Sequence, residues 1–367
     1  MKLLTVVGAR PQFIKAALVS KEIRKRNTEI LVHTGQHYDE EMSDAFFKVL
    51  DIPDPNYNLG IGSGNAGEQT GKMMMALESV MFKEKPDAVL VYGDTNSTLA
   101  GALAASKLHI PIAHVEAGLR SFNRKMPEEI NRVITDHISS ILFCPTKTAI
   151  KNLKNEGITT GVYLIGDVMR DIALLMKDKS DESLVMEELG ARNKKYLLVT
   201  LHRPSNTDDK KNLKSILSAL IDSGENVIFP VHPRTTKFMK MYGLLNNVKK
   251  AENIILSAPL GYLEFQKLLI HSKKVLTDSG GVQKEAYFFK VPCITLREDS
   301  EWVETINTGW NILVGANKQK ILSAIHQFSP TGRQIPVFGS GRTAKKIVRI
   351  LENTHKKTNK GAYNTKF

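Results

Sequence analysis

One unit recurs along the chain and restricts the fold before anything else is considered. A short, unbroken apolar run rich in Val, Ile or Leu ends in Gly, Asp, His or Glu, and a helical pattern follows. Residues 3–7 lead to a helix after Pro11, 30–33 to one around 40–50, and 88–92 to one at 97–106. Residues 112–116 precede a helix starting near Pro127, and 141–144 precede one at 146–156. Strands alternating with helices predict an α/β fold with a parallel sheet and helices on both faces. Apolar runs without polar alternation suit strands buried on both sides.

After residues 162–165 a helical, charged stretch (174–195) interrupts the rhythm, which then restarts. Residues 196–201, 227–231, 254–256, 275–277 and 293–296 read as strands, with helices near 212–221, 261–271, 282–289 and 318–328. A length of 367 residues suits two domains of ordinary size. The expected division is a Rossmann-like domain at 1–168, a second Rossmann-like domain at 169–342, and a helix with a basic tail at 343–367. That last helix carries Ile347, Ile350 and Leu351 on one face and is expected to pack back on the first domain. Ligands of open α/β sheets sit beyond the carboxyl ends of the strands, so two facing domains would share one cleft.

Composition removes several function classes. With 42% hydrophobic and 24% charged residues, the chain is not disordered as a whole. No apolar stretch is long enough to predict a membrane span. The opening apolar run is too short for a signal-peptide core. Cys144 and Cys293 alone make neither a disulfide framework nor a zinc site. The expectation is a cytoplasmic protein. Lys and Arg outnumber Asp and Glu by 51 to 38, a net +13, but the basic residues are spread out until a denser run from Lys345 to Lys366. Neither aromatic interleaving nor basic heptads accompany them, so nucleic acid is not the expected partner. Solvated faces with a basic tail are the expected source of the excess, and a site for an anionic substrate is the alternative.

Two glycine motifs are decoys. Gly62-x-Gly64-x-x-Gly67 matches a dinucleotide fingerprint literally but follows a loop-like stretch rather than a strand. Gly67 to Met73 resembles a phosphate loop with one residue too few between its glycines, and Met73 stands where a hydroxyl should hold magnesium. No HExxH metal motif occurs.

The strand exits carry the chemistry. The first ends Gly8-Ala9-Arg10-Pro11-Gln12-Phe13-Ile14-Lys15, which puts Arg10 at a helix mouth that already favours anions, with Lys15 on or near the same face. Another ends Gly93-Asp94-Thr95-Asn96-Ser97, where Asp94 equally suits a helix cap. A third ends His114-Val115-Glu116-Ala117-Gly118, and Glu116 there has no evident capping role. Pro127-Glu128-Glu129 opens a helix, and either glutamate could simply complement its dipole. Adjacent exits would aim Asp94, Glu116 and Glu128 at one place, where grouped carboxylates can divide into acid and base. In the second half a strand ends in His202-Arg203, and Asp278-Ser279-Gly280-Gly281 joins a strand to a helix. Glycines there let backbone amides approach a phosphate, and Glu285, one turn into the helix, suits sugar hydroxyls better than phosphate.

These pieces resemble, in order and over about residues 1–351, the non-hydrolysing UDP-N-acetylglucosamine 2-epimerase family. The matching segments are 8–15, 93–97, 114–120, 127–132, 202–203, 276–285 and the late Phe338-Gly339. The resemblance implies the two-domain glycosyltransferase-B architecture, a homodimer, a UDP-sugar substrate, and no nicotinamide, metal or other cofactor. It implies inversion at C2 by eliminating UDP across C1–C2 to a 2-acetamidoglucal and re-adding it with the proton on the opposite face. It also implies a place in the supply of surface-polysaccharide or glycan precursors. Asp94, Glu116 and Glu128 resemble the family's acid/base carboxylates, and Arg10, Lys15 and His202 its substrate and diphosphate contacts, His202 being a catalytic candidate too. Ser279, Gly280 and Gly281 resemble its phosphate turn, Glu285 its ribose contact, and Phe265 a nucleoside-pocket residue.

Departures from the family pattern bear on the sugar. Ala9 and Gln12 replace the usual Thr and Glu, the segment between Glu116 and Glu128 is short, and Trp302 stands where many members carry arginine. These features resemble the branch acting on UDP-2,3-diacetamido-2,3-dideoxyglucuronate, whose carboxylate could use Arg124 or Lys125. The regulatory UDP-sugar site of some members is matched only in part by Gln36-His37-Tyr38-Asp39. A hydrolysing 2-epimerase or a glycosyltransferase of the same fold would use the same nucleotide site but release UDP.

Overall fold

The computed structural model describes residues 1–36, 53–62 and 64–364, without the side chains of 10, 11 and 358–364. The helix expected at 40–50 and residues His37, Tyr38 and Asp39 lie outside the described residues. The chain divides into two compact units, Met1–Ile172 with Pro336–Phe367, and Ala173–Ile335.

The first unit is built on seven parallel strands, β1 (Lys2–Val7), β2 (Thr28–His33), β3 (Tyr57–Asn58), β4 (Ala88–Tyr92), β5 (Ile112–Val115), β6 (Ile141–Cys144) and β7 (Val162–Leu164). Their order is β3-β2-β1-β4-β5-β6-β7. The chain winds outward from β1 in one direction and from β4 in the other, so the switch point lies between those two strands. Every residue of β4 and β5 is buried, as expected of strands covered on both faces. Leu4, Val6, Val32, Val89 and Val91 pack against Met73, Leu77 and Met81 of the Ala66–Glu84 helix and Ala100 and Ala104 of the Asn96–Lys107 helix. Burying each of the large side chains contributes about 1.5–3 kcal/mol. Gly101 allows the close approach, since a Cβ there would lie 3.1 Å from Val6 Cγ2.

The second unit holds six parallel strands, β8 (Leu197–Thr200), β9 (Val227–Pro230), β10 (Ile254–Ser257), β11 (Lys274–Thr277), β12 (Cys293–Thr295) and β13 (Asn311–Leu313). The order β10-β9-β8-β11-β12-β13 repeats the same winding, with its switch point between β8 and β11. Two doubly wound parallel sheets of this kind are the paired units of the glycosyltransferase-B class.

Three differences from the sequence reading have physical causes. The Ala66–Glu84 helix covers the second glycine decoy; Gly67 and Gly71 sit in its first turns, where a Cβ would meet nothing within 4 Å. The two short strands β3 and β13 carry too few residues for a pattern, and β13 buries a polar residue, Asn311. Residues 336–342 cluster with the first unit, because Asp167 N–H donates to Phe338 O (3.0 Å) and Asp171 accepts from Thr343 Oγ1 (3.1 Å) and Ala344 N (3.3 Å). The helix Thr343–Asn364 then runs against Arg10–Ile23, burying Ile347 and Leu351.

Several basic side chains serve structure rather than a surface field. Lys274 Nζ donates to Ala324 O (3.1 Å) and Ile325 O (2.5 Å), and Lys194 Nζ to Ile270 O (2.5 Å) and Ser272 O (2.9 Å), each at the last turn of a helix. No helix among the described residues is long and apolar enough to cross a membrane.

Candidate active site

In the first unit Lys15, Gly93 and Glu116 meet beside the β1–β4 switch point, with Asp94 next in sequence to Gly93. Gly8 ends β1 where a Cβ would lie 2.1 Å from both Ser97 Oγ and Thr34 Oγ1, so the strand exit passes where only glycine fits. Gln12 fastens the turn: its Oε1 accepts from Gly8 N (2.8 Å) and Ala9 N (3.0 Å), and its Nε2 donates to Tyr92 O (2.8 Å) and Thr98 Oγ1 (2.9 Å). Arg10 opens the helix, but its side chain lies outside the described residues. One turn on, Lys15 Nζ contacts Glu116 Oε2 directly. A Cβ on Gly93 would lie 3.4 Å from each of those two atoms, so all three positions meet at one spot.

Backbone conformation directs the carboxylates. Glu116 is buried and takes a left-handed conformation (φ 71°), flanked by Gly93 (φ 63°) and Gly118 (φ 80°) on the two exits. That conformation is uncommon for a residue with a Cβ and marks a position held by its surroundings. Asp94 is not the helix cap, because Thr95 takes that role through its side chain and Thr98 N. Instead Arg132 grips Asp94 Oδ2 through Nε (2.9 Å) and Nη2 (2.6 Å), while Asn131 Nδ2 donates to Asp94 O (2.9 Å).

The paired glutamates separate into two roles. Glu128 is exposed in the first turn of the Pro127–Ile138 helix. Glu129 is buried and accepts from Ser121 N (2.8 Å), Ser121 Oγ (2.9 Å), Phe122 N (2.9 Å) and Arg132 Nη1 (3.0 Å). Burial opposes its ionised form, yet these donors hold its carboxyl below the ordinary range. Glu129 thus shapes the loop that precedes Glu128.

A buried polar chain lies beneath. His114 sits between Asp136 Oδ1 (2.7 Å) and Gly93 O (2.7 Å). Asp136 Oδ2 accepts from Gly118 N (3.0 Å) and Arg120 Nη1 (2.7 Å), and Arg120 also pairs with Glu156 (2.7 and 2.8 Å). Although burial raises it, Asp136 stays below its usual value through His114 and Arg120. The sequence reading did not single out Asp136, Glu129 or Arg132. The signal was available: the Pro127–Ile138 helix buries Glu129, Asn131, Arg132, Thr135 and Asp136 while exposing Ile130 and Ile134, an inverted amphipathic pattern.

In the second unit the candidates flank the β8–β11 switch point. Asp278, fully buried at the end of β11, accepts from the backbone N–H of His202 (3.1 Å) and Arg203 (2.9 Å) and from Asn206 Nδ2 (3.2 Å), tying the β8 exit to the turn that follows. His202 Nδ1 lies 3.5 Å from Asp278 Oδ1, and its ring centroid 5.6 Å from that of His232. Burial lowers the pKa of His202, with Arg203 and His232 adding to the effect against Asp278. The neutral ring is the form this setting favours.

Ser279 is the cap position of the Gly280–Phe288 helix; its amide donates to Thr277 Oγ1 (2.9 Å), and its side chain makes no capping bond to the first-turn amides. Trp302 Nε1 and Glu301 Oε2 would lie 3.2 and 3.4 Å from a Cβ at Gly280, whereas Gly281 is exposed and would meet only Ser279 Oγ at 3.8 Å. Lys284 Nζ stacks 4.0 Å over the Trp302 ring, and Arg297 neutralises Glu301 (3.1 Å). Glu285 is buried one turn into the helix, and Phe265 is half-buried in the cluster with Val282 and Phe289. Among the described residues no group of three or more His, Cys, Asp or Glu could hold a metal ion.

The sequence profile of the family described as UDP-N-acetylglucosamine 2-epimerase matches residues 21–352. A Methanococcus maripaludis protein named UDP-N-acetylglucosamine 2-epimerase homolog is 60% identical over 96% of this chain and 100% of its own length. The Pseudomonas aeruginosa UDP-2,3-diacetamido-2,3-dideoxy-D-glucuronate 2-epimerase is 50% identical over 96% of this chain and 99% of its own. The crystal structure of Methanocaldococcus jannaschii UDP-GlcNAc 2-epimerase in complex with UDP-GlcNAc and UDP is similar with a TM-score of 0.87, at 46% identity over 96% of this chain and 100% of that one.

Proposed function

The chain belongs to the UDP-N-acetylglucosamine 2-epimerase family and is a UDP-sugar 2-epimerase, and from that premise we propose how its residues divide the work. The second unit holds UDP: the amides of Gly280 and Gly281, the Ser279 hydroxyl and the His202 ring serve the diphosphate, the Ser279 amide being engaged by Thr277 Oγ1 (2.9 Å), while Glu285 takes the ribose and Phe265 lines the nucleoside pocket. The first unit inverts C2 of a UDP-2-acetamido hexose. The observation that carries this is the meeting of Lys15, Glu116 and Gly93 at the β1–β4 switch point, with Asp94 next in sequence to Gly93.

The C2 hydrogen of such a sugar is not beside a carbonyl, so its removal alone would leave an unstabilised carbanion. Loss of UDP solves this. A carboxylate takes the C2 proton while the C1–O bond to UDP breaks, giving the 2-acetamidoglucal and UDP. The UDP oxygen then re-forms the bond at C1 while a carboxylic acid returns a proton to the other face of C2. Asp94, Glu116 and Glu128 supply the acid and base, and Arg10, Lys15 and the phosphate turn stabilise the departing UDP. Incubating the protein with UDP-GlcNAc in heavy water tests the scheme. UDP-ManNAc carrying deuterium at C2 is the expected product; free sugar with accumulating UDP would overturn the re-addition step.

A second reading of the sugar rests on specific observations. Arg124 and Lys125 are exposed on the loop that Glu129 braces at Ser121 and Phe122, available to a hexuronate carboxylate. The diacetamidoglucuronate enzyme is also slightly nearer in sequence than the M. jannaschii UDP-N-acetylglucosamine enzyme, 50% against 47%. Comparing kcat/KM for UDP-GlcNAc and the diacetamidoglucuronate side by side decides between them.

The exposed Ile130 and Ile134, with Met75 and Phe82 exposed seven residues apart on the Ala66–Glu84 helix, support a homodimer. The buried free thiols of Cys144 and Cys293 suit the cytoplasm, where such an enzyme would supply UDP-sugars for surface glycans.

A further inference from the structure

The ladder between β4 and β5 ends where Gly93 N donates to Val115 O (2.9 Å). Beyond that point both exits turn into left-handed backbone, and the residues that do the chemistry stand on those turns. What holds the two turns relative to each other is a side-chain tie. One end of the His114 ring donates to the carbonyl of Gly93, and the other meets Asp136, whose second oxygen accepts the N–H of Gly118. His114 and Asp136 are both fully buried, so no water competes for these bonds.

We propose that the His114–Asp136 pair is a positioning device for the reaction, fixing the Asp94 exit through Gly93 and the Glu116 exit through Gly118 so that the two carboxylates keep one mutual placement. This rests on the reading of Asp94 and Glu116 given above.

The bonding pattern is more demanding than a structural histidine needs. A carbonyl oxygen and a carboxylate oxygen face the two ring nitrogens, and both are acceptors. The ring matches them only with a hydrogen on each nitrogen. The same Gly93 whose carbonyl His114 grips lies against Lys15 Nζ and Glu116 Oε2. A shift of that peptide would therefore be felt at once by the pair above it.

The test uses Asp136→Asn and His114→Gln in the full chain, with kcat, KM and UDP affinity measured separately. Because small displacements of reacting groups are costly, kcat is expected to fall about 100-fold. UDP affinity and KM should stay within about threefold, a split that loss of general integrity would not give. A folded Asp136→Asn protein with unaltered kcat, or one losing UDP binding in parallel, overturns the proposal. Nitrogen-15 spectra of the histidine rings in the unaltered protein give a second readout that does not depend on the variants folding. Both nitrogens of His114 should carry hydrogen, and a bare nitrogen overturns the proposal. Deuterium exchange by the unaltered protein is run alongside. Absence of exchange there removes the reading of the carboxylates themselves, whereas exchange with unaffected variants removes only the positioning role.

Discussion

The ammonium of Lys15 and the carboxylate of Glu116, 101 residues apart in sequence, are in direct contact beside Gly93. Lys15 belongs to the helix after β1 and Glu116 to the exit of β5, so the winding of the sheet, rather than any local motif, brings them together. An anionic group approaching Lys15 would compete with Glu116 for the same ammonium.

Glu116→Gln keeps the shape of the side chain and removes its charge. Turnover is expected to fall by about 10²–10⁴-fold, the range for loss of a general acid or base. UDP affinity, measured by titration calorimetry, should be nearly unchanged. Normal turnover would take Glu116 out of the chemistry.

The phosphate turn separates packing from binding. At Gly281 an added Cβ meets only Ser279 Oγ, at an ordinary 3.8 Å, so Gly281→Ala should melt within about 2 °C of the parent. If the turn holds the diphosphate as proposed, the variant should nonetheless weaken UDP binding. At Gly280 the methyl presses on Trp302 Nε1 at 3.2 Å, so Gly280→Ala should lose both stability and UDP affinity. UDP binding unaffected by either change would argue against the turn as a phosphate site.

Arg124→Ala with Lys125→Ala distinguishes the two sugars. Both side chains are exposed, so the double variant should fold normally. If a uronate is the substrate, its kcat/KM should drop at least tenfold, about 1.4 kcal/mol, while any activity on UDP-GlcNAc stays put. Equal effects on both sugars would remove the loop as the carboxylate contact.

Acid should weaken the fold in a defined window. Burial is the main cause that lowers the pKa of His33, His202, His232 and His271 below the ordinary 6.5. The unfolded chain therefore takes up these protons first, so stability is present above 6.5 and is lost as pH falls through the lower folded values. Thermal melting followed by circular dichroism should decline from about pH 6.5 downward. In His202→Gln the decline should be shallower; an equally steep limb would show that His202 contributes nothing to it.

The strand exits were legible because an apolar run that stops at Gly93-Asp94 or His114-Val115-Glu116 announces where a buried strand meets solvent. Both winding patterns followed from the same rhythm. The partners of those exits were not legible, since Asp136 and Arg132 reach His114 and Asp94 only through folding, across 22 and 38 residues. The choice between Glu128 and Glu129 as the bracing residue was equally hidden, because it depends on which one turns inward toward Ser121. Strand β13 went unread because Asn311 is polar in sequence and is satisfied inside by Thr295 and Thr305.

Glu116 also shows a conflict between foldability and use. A left-handed residue with a side chain costs about 1 kcal/mol that glycine would not incur. Drift under selection for robustness alone would pull this position toward glycine or asparagine, and a screen for heat-resistant variants without an activity assay should recover such replacements here. Replacements that raise heat resistance at this bend should then lower turnover, if Glu116 has the role proposed for it.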